Sequence, residues 1–289
     1  MKKVVDANYF EHKDLEAYFR ASGENRAILI DYAGMEMRKG ADPLKNLLRS
    51  LSILSKYPKQ VIGLKGTRAI VGMKTVTQGM EVRLVDKCQT KGFAEFCRHT
   101  QLAAAGDTKY IKEIEASAAE AQAHFALMES GLTATQDVIA GYVTRFTSKQ
   151  LTELRGEAQY SKPLCDTIQL HIREIWLNIY SAHPDIRQLR DFEEVVNNVA
   201  FRYIVAGYVW LLEKLRSGAS GKQVLSAKKV TSDFIDIVYV AYATYFDGVL
   251  SKERRVQQTF DETLTILKLL APRGLFGVGD KRRTSKLCI

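Results

Sequence analysis

Short apolar runs alternate with helical patterns from the first residues of this chain, and that alternation limits the fold more than any other feature. "KKVVDAN" is a β-branched run ending in an acid, "RAILIDYAG" a second strand and "KQVIGLKG" a third. Between them, "HKDLEAYFRASG" reads as a helix stopped by Gly23, and "MEMRKG" as one or two helical turns closed by Gly40. Asp42 and Pro43 supply an N-cap and a first-turn proline. The helix they open has Leu44, Leu47, Leu48, Leu51 and Leu54 on one face and ends before Pro58. Strand and helix in turn predict an α/β domain with a parallel sheet.

The texture changes after about Met80. From there to about Gly218 the patterns are helical and no strand is convincing. "IKEIEASAAEAQAHFALMES" reads as an exposed amphipathic helix, and "DTIQLHIREIWLNIYSAH" places Ile168, Ile172, Ile175, Trp176 and Ile179 on one face. A long helix is expected from an N-cap at Asp191, with Glu194 three residues on, to Gly218. "DFIDIVYVAYATYF" predicts a further helix from Ser232 to about Phe246, "DGVLS" a last strand, and "TFDETLTILKLL" a last helix. Strands therefore flank a helical middle, and the last one should return to join the first. The expected division is a discontinuous α/β domain, residues 1–85 and 191–289, around a helical insertion, residues 86–190.

A chain with 46% hydrophobic residues can build a large core, and a net charge of +9 with a pI near 9.2 favours polyanionic partners. The cysteines fit neither a disulfide framework nor a zinc ribbon, which suits free thiols in a reducing compartment. "MKKVVDANYF" lacks a signal peptide's apolar stretch, and "AFRYIVAGYVWLLEKL" is too short for a bilayer and contains Arg202. The expectation is a cytoplasmic protein with no membrane partner.

The acids carry the chemistry. Asp6 ends the first strand, and ligands gather at the carboxyl ends of parallel strands. Glu36 lies past the second strand. Asp233 and Asp236 share a helix face, where acids near an N-terminus complement the helix dipole; Asp236 is harder to explain so, because an apolar run follows it. Asp247 precedes the last strand and Glu253 follows it, beside Lys252, Arg254 and Arg255. Converging carboxylates repel unless a hard divalent cation joins them, which points to Mg²⁺ or Mn²⁺ and, in a basic protein, to phosphodiester chemistry.

These residues resemble the PIN-like nucleases. "VVDAN" looks like that family's first-strand motif, which puts a metal-binding acid at Asp6 and a supporting role at Asn8. "EMRKG" resembles its Glu-x-x-x-Gly and implies Glu36. "DIVYVAYA" implies Asp236, with Asp233 delivered by the same helix. "DGVLSKE" implies a supporting hydroxyl at Ser251 and a fourth acid at Glu253, where the family usually has Asp. The resemblance implies a PIN-like parallel sheet flanked by helices, and a Mg²⁺- or Mn²⁺-dependent nuclease acting on RNA ahead of DNA. Such nucleases serve as toxins, in RNA processing and in defence against phage. Nucleic acid would be gripped by Lys252, Arg254 and Arg255 and by Lys281, Arg282 and Arg283 of the basic tail. The helical insertion would bind a protein partner or a second copy. The alternative is a PIN-like module that binds nucleic acid or a partner without cutting.

Overall fold

In the computed structural model, described for residues 1–131, 135–156, 159–182, 189, 191–218 and 226–271, the elements run in the following order. The first part holds β1 (Lys2–Val5), α1 (Lys13–Ala21), β2 (Arg26–Leu29), α2 (Asp31–Glu36), α3 (Pro43–Leu54), β3 (Val61–Gly63), α4 (Thr67–Val71) and α5 (Met80–Leu84). The helical run is α6 (Lys87–Ala104), α7 (Thr108–Gly131), α8 (Thr135–Thr144), α9 (Ser148–Arg155), α10 (Lys162–Ala182), α11 (Phe192–Val196), α12 (Val199–Arg216) and α13 (Ala227–Ala243). β4 (Val249–Leu250) and α14 (Arg254–Leu270) follow.

The expected α/β architecture is present. One four-stranded sheet has the order β3-β2-β1-β4, and every pairing is parallel. The last strand does return to the first: Val4 pairs with Val249 and Val5 with Leu250. A parallel sheet is covered on both faces, so the inner part of its central strands is apolar; Val4 and Val5 at the end of β1 are fully buried, as are Ala27 and Ile28 on β2, while β1 enters the sheet through Lys2 and Lys3.

Contacts group the chain into two units: residues 1–70, 81–128 and 245–257 hold the sheet, and residues 71–80, 129–244 and 258–289 form a helical unit. In the sheet unit, α3 starts as the sequence suggests. Asp42 accepts the Lys45 N–H at 2.9 Å, Pro43 follows, and Leu47, Leu51 and Leu54 are buried. The second strand is shorter than its apolar run. It ends at Leu29, and Asp31 already opens α2, its carboxylate accepting the Tyr32 N–H at 3.0 Å. The same carboxylate accepts the Thr67 N–H at 2.6 Å and the Thr67 hydroxyl at 2.8 Å, which ties the loop after β3 to the start of α2.

The helical unit is built on α12 and α13, whose buried faces are almost continuous. Two sequence expectations need correction there. The long helix from Asp191 is broken at Asn197–Asn198, although Asp191 does cap its first piece by accepting the Glu194 N–H. Asn198 caps α12, accepting the Ala200 N–H at 2.8 Å, and Asn197 accepts a bond from the buried Arg202 guanidinium at 2.7 Å. Side-chain bonds to the backbone thus offered the chain an alternative to continuing the helix. The helix expected from Ser232 begins at Ala227, capped by Ser226. Asp233 is therefore two turns inside α13, and dipole complementation does not explain its burial. The apolar segment Ala200–Leu215 is a buried core helix, and among the described residues no helix is long and apolar enough to cross a membrane.

Candidate functional site

In the order β3-β2-β1-β4 the sheet reverses direction of growth between β1 and β4, and open parallel sheets bind ligands outside the carboxyl ends of strands at that reversal. Asp6 stands there. The residue after β1, it donates its N–H to the Leu250 carbonyl at 2.9 Å, so Ser251 leaves β4 at the same level. The Ser251 hydroxyl donates to Asp6 Oδ2 at 2.6 Å and accepts the Glu253 N–H at 3.1 Å. The Asn8 N–H donates to Asp6 Oδ1 at 3.3 Å, and Asn8 Oδ1 accepts the Lys252 N–H at 3.0 Å. Residues 6 to 8 and 251 to 253, from opposite ends of the chain, thus form one hydrogen-bonded knot.

Its electrostatics are unbalanced. Asp6 is only 4% exposed, yet among the described residues no lysine or arginine pairs with it. Burial raises its carboxyl pKa from the ordinary value, and repulsion from Glu253 adds to that; hydrogen bonds from Ser251 and Asn8 work the other way without reversing it. Glu253 is exposed and pairs with Arg255 at 3.4 Å, while Lys252 and Arg254 are exposed at the same rim.

The other expected acids sit differently. Glu36 ends α2 in the sheet unit and is half-buried. Asp233 and Asp236 are on α13 in the helical unit. Asp233 is 1% exposed and already compensated: Trp210 Nε1 donates to it at 2.9 Å, and the Lys214 and Lys229 ammonium groups lie 3.1 and 2.8 Å away. Asp236 is half-buried. Among the described residues no three His, Cys, Asp or Glu side chains are grouped so as to hold a metal ion. What the sheet edge offers is Asp6 with Glu253 nearby, both hard oxygen donors. Lys281, Arg282 and Arg283 lie outside the described residues.

Sequence reasoning missed a second feature of this unit, a cavity beside α2, α6 and α7 with Arg38 and His124 in its wall. His124 Nε2 lies 3.1 Å from the Tyr32 hydroxyl. These residues are far apart in sequence and belong to no spacing pattern, so nothing in the sequence singles them out.

Comparisons with family models, with curated proteins and with solved structures return no match for this chain. Fold and site define a class all the same: an α/β protein with a parallel sheet and a buried, cation-poor aspartate at its switch point.

Proposed function

We propose that the chain is a metal-dependent nuclease of PIN-like type that hydrolyses phosphodiester bonds, with RNA ahead of DNA as substrate. One observation supports this most: Asp6, buried at the carboxyl edge of the switch point, is met by neutral donors and a second acid but by no cation among the described residues. A cation is what such a carboxylate lacks. In this reading Asp6 is the direct metal ligand. Ser251 and Asn8 fix its two oxygens, as outer partners of a ligand do. Glu253, exposed at the rim, would be a further oxygen donor to the metal, and Lys252 and Arg254 would attract the phosphate backbone. The bound metal supplies a water of lowered pKa and stabilises charge on the phosphate. The resemblance also implies roles for Glu36 and for Asp236.

The test is incubation of the purified chain with labelled single-stranded RNA, structured RNA and DNA, with Mg²⁺, Mn²⁺ or EDTA. Cleavage should require the divalent ion and fall roughly 100-fold or more in Asp6→Asn, since the loss of even an outer partner costs up to that much. Cleavage that survives in Asp6→Asn would sink the assigned site. A second reading, binding without cutting, is favoured by the lack of a three-acid group among the described residues. It predicts a salt-dependent complex with RNA, no cleavage with any ion, and a melting temperature insensitive to Mg²⁺.

A further inference from the structure

The cavity lined by α2, α6 and α7 has a volume of about 600 Å³, within the range of small-molecule sites, and lies wholly in the sheet unit. Most of its wall is apolar: Ile30, Met35, Phe93 and Phe96 lie around it, and Ala121 on α7 faces it from across. Its polar lining is Asp31, Gln89, Ser117, Glu120, His124 and Arg38; Asp31 is already engaged with the Thr67 N–H and hydroxyl, and Arg38 brings the permanent positive charge. Its Nη1 donates to the Gly34 carbonyl at 2.5 Å, and its guanidinium carbon lies 5.3 Å from the centre of the Phe96 ring. Its Nε is buried and has no hydrogen-bond partner among the described residues. Among the described residues no carboxylate forms an ion pair with Arg38. The same side chain also lines a neighbouring cavity of about 190 Å³.

Arginine is rarely buried without an acid. The ring contact offsets part of the desolvation cost, and one carbonyl bond offsets another part. What remains is a half-buried positive charge that no acid in the wall pairs with among the described residues, and burial already pulls its pKa down. A ligand oxyanion would complete it, and the aromatic wall suits a flat apolar body.

We propose that this cavity binds a small organic anion with a planar body, its phosphate or carboxylate held by Arg38 and its ring system packed against Phe93 and Phe96. This site is separate from the Asp6 edge and does not depend on the nuclease reading.

Titration calorimetry on the full chain tests it, in EDTA so that metal-bridged binding at Asp6 contributes nothing. The probes are adenosine monophosphate and 2-naphthoate, with adenosine and 2-naphthylmethanol as neutral counterparts. At least one anion should bind roughly tenfold or more tightly than its neutral counterpart, as a charge-assisted bond predicts. Which anion does so assigns the ligand to phosphate esters or to carboxylates. Arg38→Met should erase that preference and Arg38→Lys should keep part of it. A Cβ added at Gly92, in the cavity wall on α6, meets nothing within 4 Å. Gly92→Phe should therefore fit the fold, fill the cavity and weaken all binding, so the proposal stays testable if Arg38→Met fails to fold. No preference for either anion over its neutral form overturns the proposal. So does a preference that survives both Arg38→Met and Gly92→Phe.

Discussion

Asp6 in the sheet unit and Asp233 in the helical unit are almost equally hidden, at 4% and 1% exposure, and the chain treats them in opposite ways. Asp233 is enclosed by two ammonium groups and an indole N–H. Its charge is cancelled where it sits, which makes it part of the packing of α12 against α13. Asp6 receives one hydroxyl and one backbone N–H and faces another acid. Burial alone therefore does not mark a functional acid. The sign of what surrounds it separates the two: Asp233 comes with its counter-ions, and under the proposed function Asp6 would receive its own from the metal.

The widest break in that comparison is Asp233→Ala. Removing the acid leaves Lys214, 15% exposed, and the Trp210 N–H without their acceptor, while the more exposed Lys229 can turn to water. The expected cost is about 3 kcal/mol in urea unfolding, the low end for a broken buried pair. A variant within roughly 0.5 kcal/mol of the parent would show that Asp233 does not hold the helical unit together.

Asp6→Asn should move stability the other way while abolishing the proposed activity. A carboxyl whose folded-state pKa is raised favours folding while protonated, and that contribution is lost as pH rises through the folded value. The parent should therefore lose stability relative to the variant as pH climbs from below 3.8, the ordinary aspartate value. At neutral pH, without metal, the variant should be more stable on the order of 1 kcal/mol. Saturating Mg²⁺ should reverse the ranking, since only the parent gains from binding. Parallel stability–pH curves for the two proteins would refute the electrostatic account of Asp6.

The resemblance makes a claim that the same series sharpens. If Asp236 serves the same reaction as Asp6, Asp236→Asn should lose most of the activity. The double variant should then lose little more, because residues that act as a unit are strongly non-additive. Full activity in Asp236→Asn would return that acid to the helical unit as an ordinary polar residue.

How much of this could be read beforehand differs between the two acids as well. The sheet was legible, because β-branched runs such as Lys2–Val5 and a capped leucine helix from Asp42 are local signals. The pairing of Asp6 with Ser251 followed from the expected return of the last strand. The sequence puts Asp233 at a helix N-terminus, whereas α13 starts at Ala227, and Lys214 and Trp210 reach the acid from another helix. Spacing along one helix cannot report partners on its neighbour. The break at Asn197–Asn198 was missed for a related reason: apolar periodicity runs straight through it, and only the side-chain bonds of the two asparagines end one helix and begin the next.

A smaller effect is expected at Ser251. Its hydroxyl gives Asp6 a 2.6 Å hydrogen bond, shorter than the 3.3 Å bond from the Asn8 N–H, and losing it should raise the Asp6 pKa further and loosen its aim. Ser251→Ala should weaken Mg²⁺ binding roughly tenfold, and Ser251→Thr should restore most of it. Equal Mg²⁺ affinity in parent and Ser251→Ala would leave the hydroxyl a purely structural link between β1 and β4.

The smallest change is at the rim and concerns partners rather than metal. Lys252 is exposed, its backbone N–H is tied to Asn8, and among the described residues no carboxylate pairs with its ammonium, which leaves it available to a phosphate. Arg255 differs: it is engaged with Glu253. Each phosphate contact releases roughly one counterion on binding, so the logarithm of affinity falls more gently with the logarithm of salt when a contact is lost. Lys252→Gln should flatten that slope by roughly one and weaken binding to all sequences alike. Arg255→Gln should change the slope less, because its charge is already spent on Glu253, and it should raise the local negative charge near Asp6. An unchanged slope in Lys252→Gln, measured on uncleaved RNA in EDTA, would move the nucleic-acid contact away from the sheet edge.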